Sequence, residues 1–308
     1  MILLKQMLVL FIMMLVGVYC RKCGIFNDEA NKRISSLVVN VANPALILSS
    51  SINQEAVIEG MEFVKTFILA WGMFAVVMIV AHFIPKIIRA DVSEYGTYKT
   101  MTIFSNIGFM GFPVIDALYG SEALLYATMF LIPFNVLIYT YGISVMKMRT
   151  SGDARSTGFQ LRKILNVGVI SCAVALVIYL TKLPMPVVVE NAVDSISGLT
   201  APLSMMVIGD SLTKINLKKL FCNGRMLVFS GIKLLLIPIV GVSLIKLMGL
   251  NPLLTGVCMI MLATPVGSMN AMLAQEYGGD YELASQGVTI TTLLAVVTMP
   301  LVSMIMGV

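Results

Sequence analysis

The sequence predicts an all-α integral membrane protein, with ten transmembrane helices in two inverted five-helix repeats and breaks in the fourth and ninth helices. Three observations carry this. Of 308 residues, 58% are hydrophobic and only 12% charged, with mean hydropathy +0.93, whereas an ordinary water-soluble domain carries roughly 25% charge. Basic connections alternate along the chain with connections that hold few basic residues. Finally, a polar stretch punctuated by glycine and proline interrupts an apolar run in each half of the chain.

A membrane span needs about 20 apolar residues. By that rule the spans are 2–20, 34–52, 63–84, 98–118, 124–146, 164–180, 192–212, 226–247, 252–274 and 283–306. The first has a lysine and an apolar stretch like a signal peptide, but no small-residue cleavage site, and is read as a transmembrane helix. Short connections leave no room for a separate soluble domain. Arg21, Lys22, Lys32 and Arg33 follow the first span; Lys86, Arg89 and Lys99 the third; Lys147, Arg149, Arg155, Arg162 and Lys163 the fifth; Lys214, Lys218, Lys219 and Arg225 the seventh. Lys5, Lys65, Lys182 and Lys246 fall on the other side, where Glu55 and Glu59 also lie. The positive-inside rule then places the odd-to-even connections in the cytoplasm and both termini outside the cell membrane. The acidic connection 275–282 departs from the pattern, but short acidic loops weigh little in that rule.

The break in the fourth span is Ser105 Asn106 Ile107 Gly108 Phe109 Met110 Gly111 Phe112 Pro113, and that in the ninth is Thr264 Pro265 Val266 Gly267 Ser268 Met269 Asn270. Glycine and proline weaken a helix, and the backbone groups they free must face protein or a cavity, because hydrocarbon cannot hydrogen-bond them. Broken helices at corresponding positions of two halves point to a substrate site near the bilayer midplane. The halves align weakly but in a common order: Tyr119 Gly120 with Tyr277 Gly278, Glu122 and Ala123 with Glu282 and Ala284, and Ala42 Asn43 Pro44 with Thr200 Ala201 Pro202. Five spans per copy is odd, so the copies, 1–152 and 153–308, have opposite orientations.

Asn106 and Asn270 can each donate an amide N–H and offer a carbonyl, either to a bound molecule or as polar glue between helices. Pro113 and Pro265 are placed to open half-helix N-termini, whose unpaired N–H groups favour an anion, or simply to kink. Gly108, Gly111 and Gly267 permit close helix approach, with Thr264 and Ser268 beside them. Lys233 is the basic residue deep in a span, with Asp210 as its expected partner, in a substrate-attracting, locking or purely structural role. Ser49, Ser50 and Ser51 either line the site or bond to their own helix. Asp116 belongs near an outer helix end, and His82 near a cytoplasmic one. Five cysteines include one Cys-x-x-Cys, Cys20 and Cys23, without a second pair at zinc spacing. One histidine, no His-Glu-x-x-His and no paired aspartates give neither metal nor hydrolytic chemistry a constellation, and no phosphate-binding glycine loop is present. The reading is a non-enzyme without metal or cofactor. The net charge of +5 is spread over connections rather than gathered on a soluble face, which argues against nucleic acid.

Asn43 Pro44 Ala45, the stretch from Ser105 to Pro113, Ala263 Thr264 Pro265 through Tyr277 Gly278, and Thr291 to Pro300 resemble, in order and over essentially the whole chain, the auxin efflux carrier family in its short bacterial form. The resemblance implies that the fourth and ninth helices cross. It also implies that spans 1, 2, 6 and 7 form a scaffold, spans 3–5 and 8–10 form a moving transport domain, and two chains pair through the scaffold. It further implies elevator-type alternating access for small organic anions: auxin in plants, malate, malonate and similar carboxylates in bacteria. Asn43 and Pro44 enter the candidate site on this ground. The long hydrophilic central loop of plant members is missing. A sodium- or proton-coupled carrier of the related antiporter and bile-acid architecture is the alternative. Such carriers usually keep buried carboxylates at the crossing, and the broken segments here contain none.

Overall fold

The structure is a computed structural model and describes residues 2–52, 60–147, 167–213 and 223–307. Among these there is no β-strand. The helices are α1 (Ile2–Lys22), α2 (Asp28–Leu37), α3 (Asn43–Ser49), α4 (Gly60–Ile87), α5 (Tyr95–Ile103), α6 (Phe112–Leu137), α7 (Ile143–Lys147), α8 (Val167–Thr181), α9 (Val187–Ser197), α10 (Thr200–Leu212), α11 (Gly224–Gly231), α12 (Ile237–Leu247), α13 (Pro252–Ala263), α14 (Met269–Tyr277) and α15 (Tyr281–Met306). The basic connections 148–166 and 214–222 lie outside the described residues.

Five helical stretches among the described residues are long and apolar enough to cross a membrane: Met61–Ile87, Ile107–Met146, Val187–Leu212, Gly224–Leu247 and Tyr281–Met306. Their surfaces agree. On α4, Met61, Val64, Ile68, Val76, Ile79, Phe83 and Ile87 are exposed at helical spacing, while Ala70, Phe74, Val77, Ala81 and Ile84 are buried on the other side. Similar exposed stripes run along α1 (Leu8, Ile12, Leu15, Tyr19) and α8 (Val167, Ile170, Val174, Val177). In water such stripes would promote aggregation; against lipid tails they are the favoured surface. The protein is a multi-pass membrane protein.

Proline shapes several of these helices. Wider π-helical turns occupy Val38–Ala42, Ile107–Gly111 and Ile232–Leu236, and a proline follows each by two residues: Pro44, Pro113 and Pro238. A proline inside a helix has no N–H to give and its ring collides with the carbonyl four residues back. Widening the preceding turn relieves that collision while the helix continues. A further π-turn, Ile138–Gly142, has no such proline. The stretch Phe112–Leu137 is in fact two helices, because Gly120 adopts φ +75° there. This separates the segments expected as spans four and five.

The chain divides into two compact units. The first comprises 1–67, 107–132 and 165–214. Its tightest joint is α1 on α10, where two glycines let backbones touch. A methyl group at Gly17 would lie 2.1 Å from the Met206 carbonyl oxygen, and one at Gly209 only 1.9 Å from that of Met14. Further along, Asp210, fully buried, accepts from Asn31 Nδ2 at 2.5 Å and faces Arg21 at 3.6 Å. On the opposite part of this unit Tyr126 donates to Glu62 at 2.8 Å and Phe63 stacks on Tyr179.

The second unit comprises 68–106, 133–164 and 215–308. Its core joins α4, α5, α11 and α15 through Ile84, Tyr98, Met101, Phe229 and Ile290. Gly287 lies against the Met101 sulfur and Gly96 against the Val145 carbonyl, so α5 is gripped on two sides. Arg225 pairs with Asp91 at 3.1 Å. These contacts fix the two interrupted helices described next.

Candidate functional site

α13 ends because Pro265 has no N–H for the Met261 carbonyl and forces the preceding residue out of the helical region. Thr264 is accordingly extended, at ψ 145°. Its hydroxyl donates to Met261 O at 3.0 Å in place of the missing N–H. α5 ends at Phe104, which leaves the helix at ψ 87°. The two breaks then pair backbone to backbone. Ser105 and Val266 form an isolated antiparallel bridge, in which Asn106 N donates to Pro265 O at 2.7 Å and Gly267 N to Phe104 O at 3.0 Å. The crossing lies within the second unit.

Two carbonyls freed here on α5, those of Thr102 and Phe104, find donors outside the helix, as burial demands. In a continuous helix Thr102 O would accept from Asn106 N, but that N–H has gone to Pro265. Lys233 Nζ takes its place at 3.0 Å and donates also to Ser105 Oγ at 2.6 Å. Phe104 O, which would have served residue 108, accepts from Gly267 N and from Asn270 Nδ2 at 2.7 Å. Val266 N, withdrawn from α13, donates to Thr291 Oγ1 on α15 at 3.0 Å. Gly267 is required by space: a methyl group there would meet the Ser105 and Phe104 carbonyl oxygens at 3.0 and 3.2 Å.

Each candidate has definite partners within its own unit. Lys233 serves the broken end of α5, and Asp210 is taken by Asn31 and Arg21, each inside its own unit. Periodicity fixes a residue's depth in a span but not its neighbour. Pro113 opens no helix end, since the second half of the broken helix starts at Ile107 and runs through the π-turn into α6. Asn270 directs its amide N–H groups to Phe104 O and Gly267 O, so it braces the crossing, while its buried Oδ1 has no hydrogen-bond partner among the described residues.

Asn106, Thr264, Pro265, Gly267 and Asn270 are all buried around the crossing, while Ser268 is exposed as the N-cap of α14. The other candidates lie in the first unit. There a methyl group at Gly108 would touch Asn43 Nδ2 at 3.4 Å, Pro44, Gly111 and Pro113 are buried, and α10 packs on the π-turns Val38–Ala42 and Ile107–Gly111. Asn43 Oδ1, Thr200 Oγ1 and Ser204 Oγ are buried there without a hydrogen-bond partner among the described residues. Buried polar atoms left open are costly, and a bound polar molecule or water is the usual reason for them. Ser50 and Ser51 bond to the carbonyls of Ile47 and Leu48 in their own helix, and Ser49 donates to Asp194. Asp116 is exposed.

Sequence reasoning missed Thr102, Ser105, Thr291, Thr200 and Ser204 as participants. Ser105 stood inside the break and Thr291 at the head of a resemblance motif without a role, and the alignment of Asn43 Pro44 with Ala201 Pro202 puts Thr200 at a corresponding turn.

Comparison with known proteins bears on this arrangement. Residues 2–303 match the model of a family described as membrane transport protein. A protein of Methanocaldococcus jannaschii described as an uncharacterized transporter is 25% identical over 309 residues, covering 98% of each chain. Another uncharacterized transporter, of Methanothermobacter thermautotrophicus, is 22% identical over 303 residues, again with 98% of both chains covered. Both source organisms are archaea.

Proposed function

The chain belongs to the membrane transport protein family, that of the auxin efflux carriers, and from this premise we propose that it is a secondary carrier of small organic anions such as malate, malonate or auxin-like carboxylates. The observation that carries the proposal is the meeting of two interrupted helices at Ser105 and Val266. Interrupted helices at membrane depth bring helix termini to a polar point inside an apolar medium. The second halves, which start at Ile107 and Met269, present N-termini with positive partial charge that attracts a carboxylate without a full salt bridge. A carrier gains from that, because the substrate must also leave.

In this reading Asn106, Thr264, Pro265, Gly267, Ser268 and Asn270 form the binding region of the second unit. Asn43, Pro44, Gly108, Gly111 and Pro113 form that of the first, where the open oxygens of Asn43, Thr200 and Ser204 support a polar occupant. Ten spans in two inverted repeats, 1–152 and 153–308, an elevator-type cycle and a homodimer through spans 1, 2, 6 and 7 complete the proposal, with both termini outside. The grouping of spans 1, 2, 6 and 7 in one compact unit, and of most of span 3 with spans 8, 9 and 10 in the other, favours the division into scaffold and transport domain, whereas 107–132, from spans 4 and 5, groups with the first unit.

Uptake of labelled malate, malonate, lactate and indole acetate into proteoliposomes, with and without sodium or proton gradients, tests it. Saturable uptake of at least one acid is expected. Uptake of none under any gradient would refute the carboxylate reading while leaving family and fold untouched.

A further inference from the structure

We propose that the ammonium group of Lys233 is a tethered substitute for a coupling cation, occupying at the broken end of α5 a site that would otherwise bind a monovalent ion. The inference goes beyond the carrier reading and rests on it only for its meaning in transport.

The argument starts from the ligands. Lys233 is 1% exposed, and among the described residues its Nζ donates to the Thr102 carbonyl and the Ser105 hydroxyl, both neutral oxygens. Burying an ammonium inside a membrane is costly, and a partner carboxylate is the common remedy. Here the compensation comes from a helix end instead. Thr102 lies one residue before the last of α5, where the helix dipole is negative and where the break has removed the carbonyl's own donor. Unwound carbonyls at half-helix C-termini are the groups with which broken-helix carriers hold sodium, and the Ser105 hydroxyl adds a second neutral oxygen here. Lysine supplies the same charge to that set on a side chain that cannot dissociate.

The backbone is adapted to deliver it. Lys233 stands in the π-turn Ile232–Leu236 ahead of Pro238, between buried Ser230 and Leu234. Such turns redirect single side chains, and they recur at functional sites. Because the cation is covalently attached, its local concentration exceeds that of any free ion. The site therefore needs no loading in each cycle, and a sodium gradient has nothing to couple to there.

Removing the side chain should convert the site into an ion-binding one. Wild type, Lys233→Ala and Lys233→Met are purified in detergent and their thermal unfolding is compared in sodium, propylammonium and choline chloride at equal ionic strength. The expected result is a saturable rise of about 3 °C for Lys233→Ala in sodium or propylammonium over choline, with wild type and the space-filling Lys233→Met unmoved. A Lys233→Ala protein indifferent to all three salts would overturn the proposal, because a purely structural lysine leaves no ion site behind. Stabilisation of wild type by sodium would overturn it as well. Should Lys233→Ala fail to fold, Lys233→Ser, which offers a third neutral oxygen, replaces it. Should both variants fail to fold in sodium as well as in choline, no free cation replaces the ammonium there, and the proposal is overturned. None of these readouts depends on which acid is carried, so a failed uptake assay and a failed ion-site assay are separate results.

Discussion

Lys233 donates to the carbonyl of Thr102, the group that an unbroken helix would have given to the N–H of Asn106. The break in α5 and the buried lysine are thus one feature: the first frees an acceptor, and the second supplies the donor. Replacing Ser105, the other acceptor, by alanine removes a hydrogen bond to a charged group. Ser105→Ala should cost about 2 kcal/mol, read as a lower unfolding temperature in detergent. An unchanged temperature would place the ammonium elsewhere.

Gly267→Ala tests the crossing. The added methyl group would press on the Ser105 and Phe104 carbonyl oxygens from 3.0 and 3.2 Å, and both belong to backbone that cannot swing aside. About 2 kcal/mol of destabilisation is expected, with loss of transport. Wild-type behaviour would mean that the two breaks do not approach so closely.

How much of this was legible in the sequence divides along physical lines. The breaks at 105–113 and 264–270 were visible because glycine and proline in an apolar run have one-dimensional signatures. What the freed groups bond to was not, since that depends on neighbours brought in from residues 102 to 291. Lys233 was recognised as buried, with Asp210 as a possible partner and its role left open, but the freed carbonyl of Thr102 leaves no mark in sequence. Pro113 read as a helix start or a kink, and the π-turn Ile107–Gly111 lets the helix run past it. Asn270 read as a ligand or as glue between helices, and its N–H groups go to the backbone. Gly17 and Gly209 looked like any glycine in a membrane span.

Those two glycines give a separate prediction. Gly17→Ala and Gly209→Ala each drive a methyl group into a backbone carbonyl across α1 and α10, so each should cost about 3 kcal/mol and lower the yield of folded protein. Gly72→Ala is the control. A methyl group there meets nothing within 4 Å, and the better helix propensity of alanine should leave stability unchanged or slightly raised. Equal behaviour of all three variants would contradict the packing of α1 on α10.

Orientation is tested at Lys5, whose side chain is exposed. An amine-reactive label that cannot cross the membrane should reach it from outside intact cells. Labelling only after the cytoplasmic face is opened would reverse the topology.

The central claim, that the crossing binds the transported molecule, is tested most directly at Asn106, which is buried where the two breaks pair. Uptake by wild type and Asn106→Ala would be measured in matched proteoliposomes, with unfolding temperature as a check on folding. The account predicts uptake reduced at least about tenfold, equivalent to about 1.4 kcal/mol of binding, in a protein that unfolds close to the wild-type temperature. Wild-type uptake by a folded Asn106→Ala protein would contradict it.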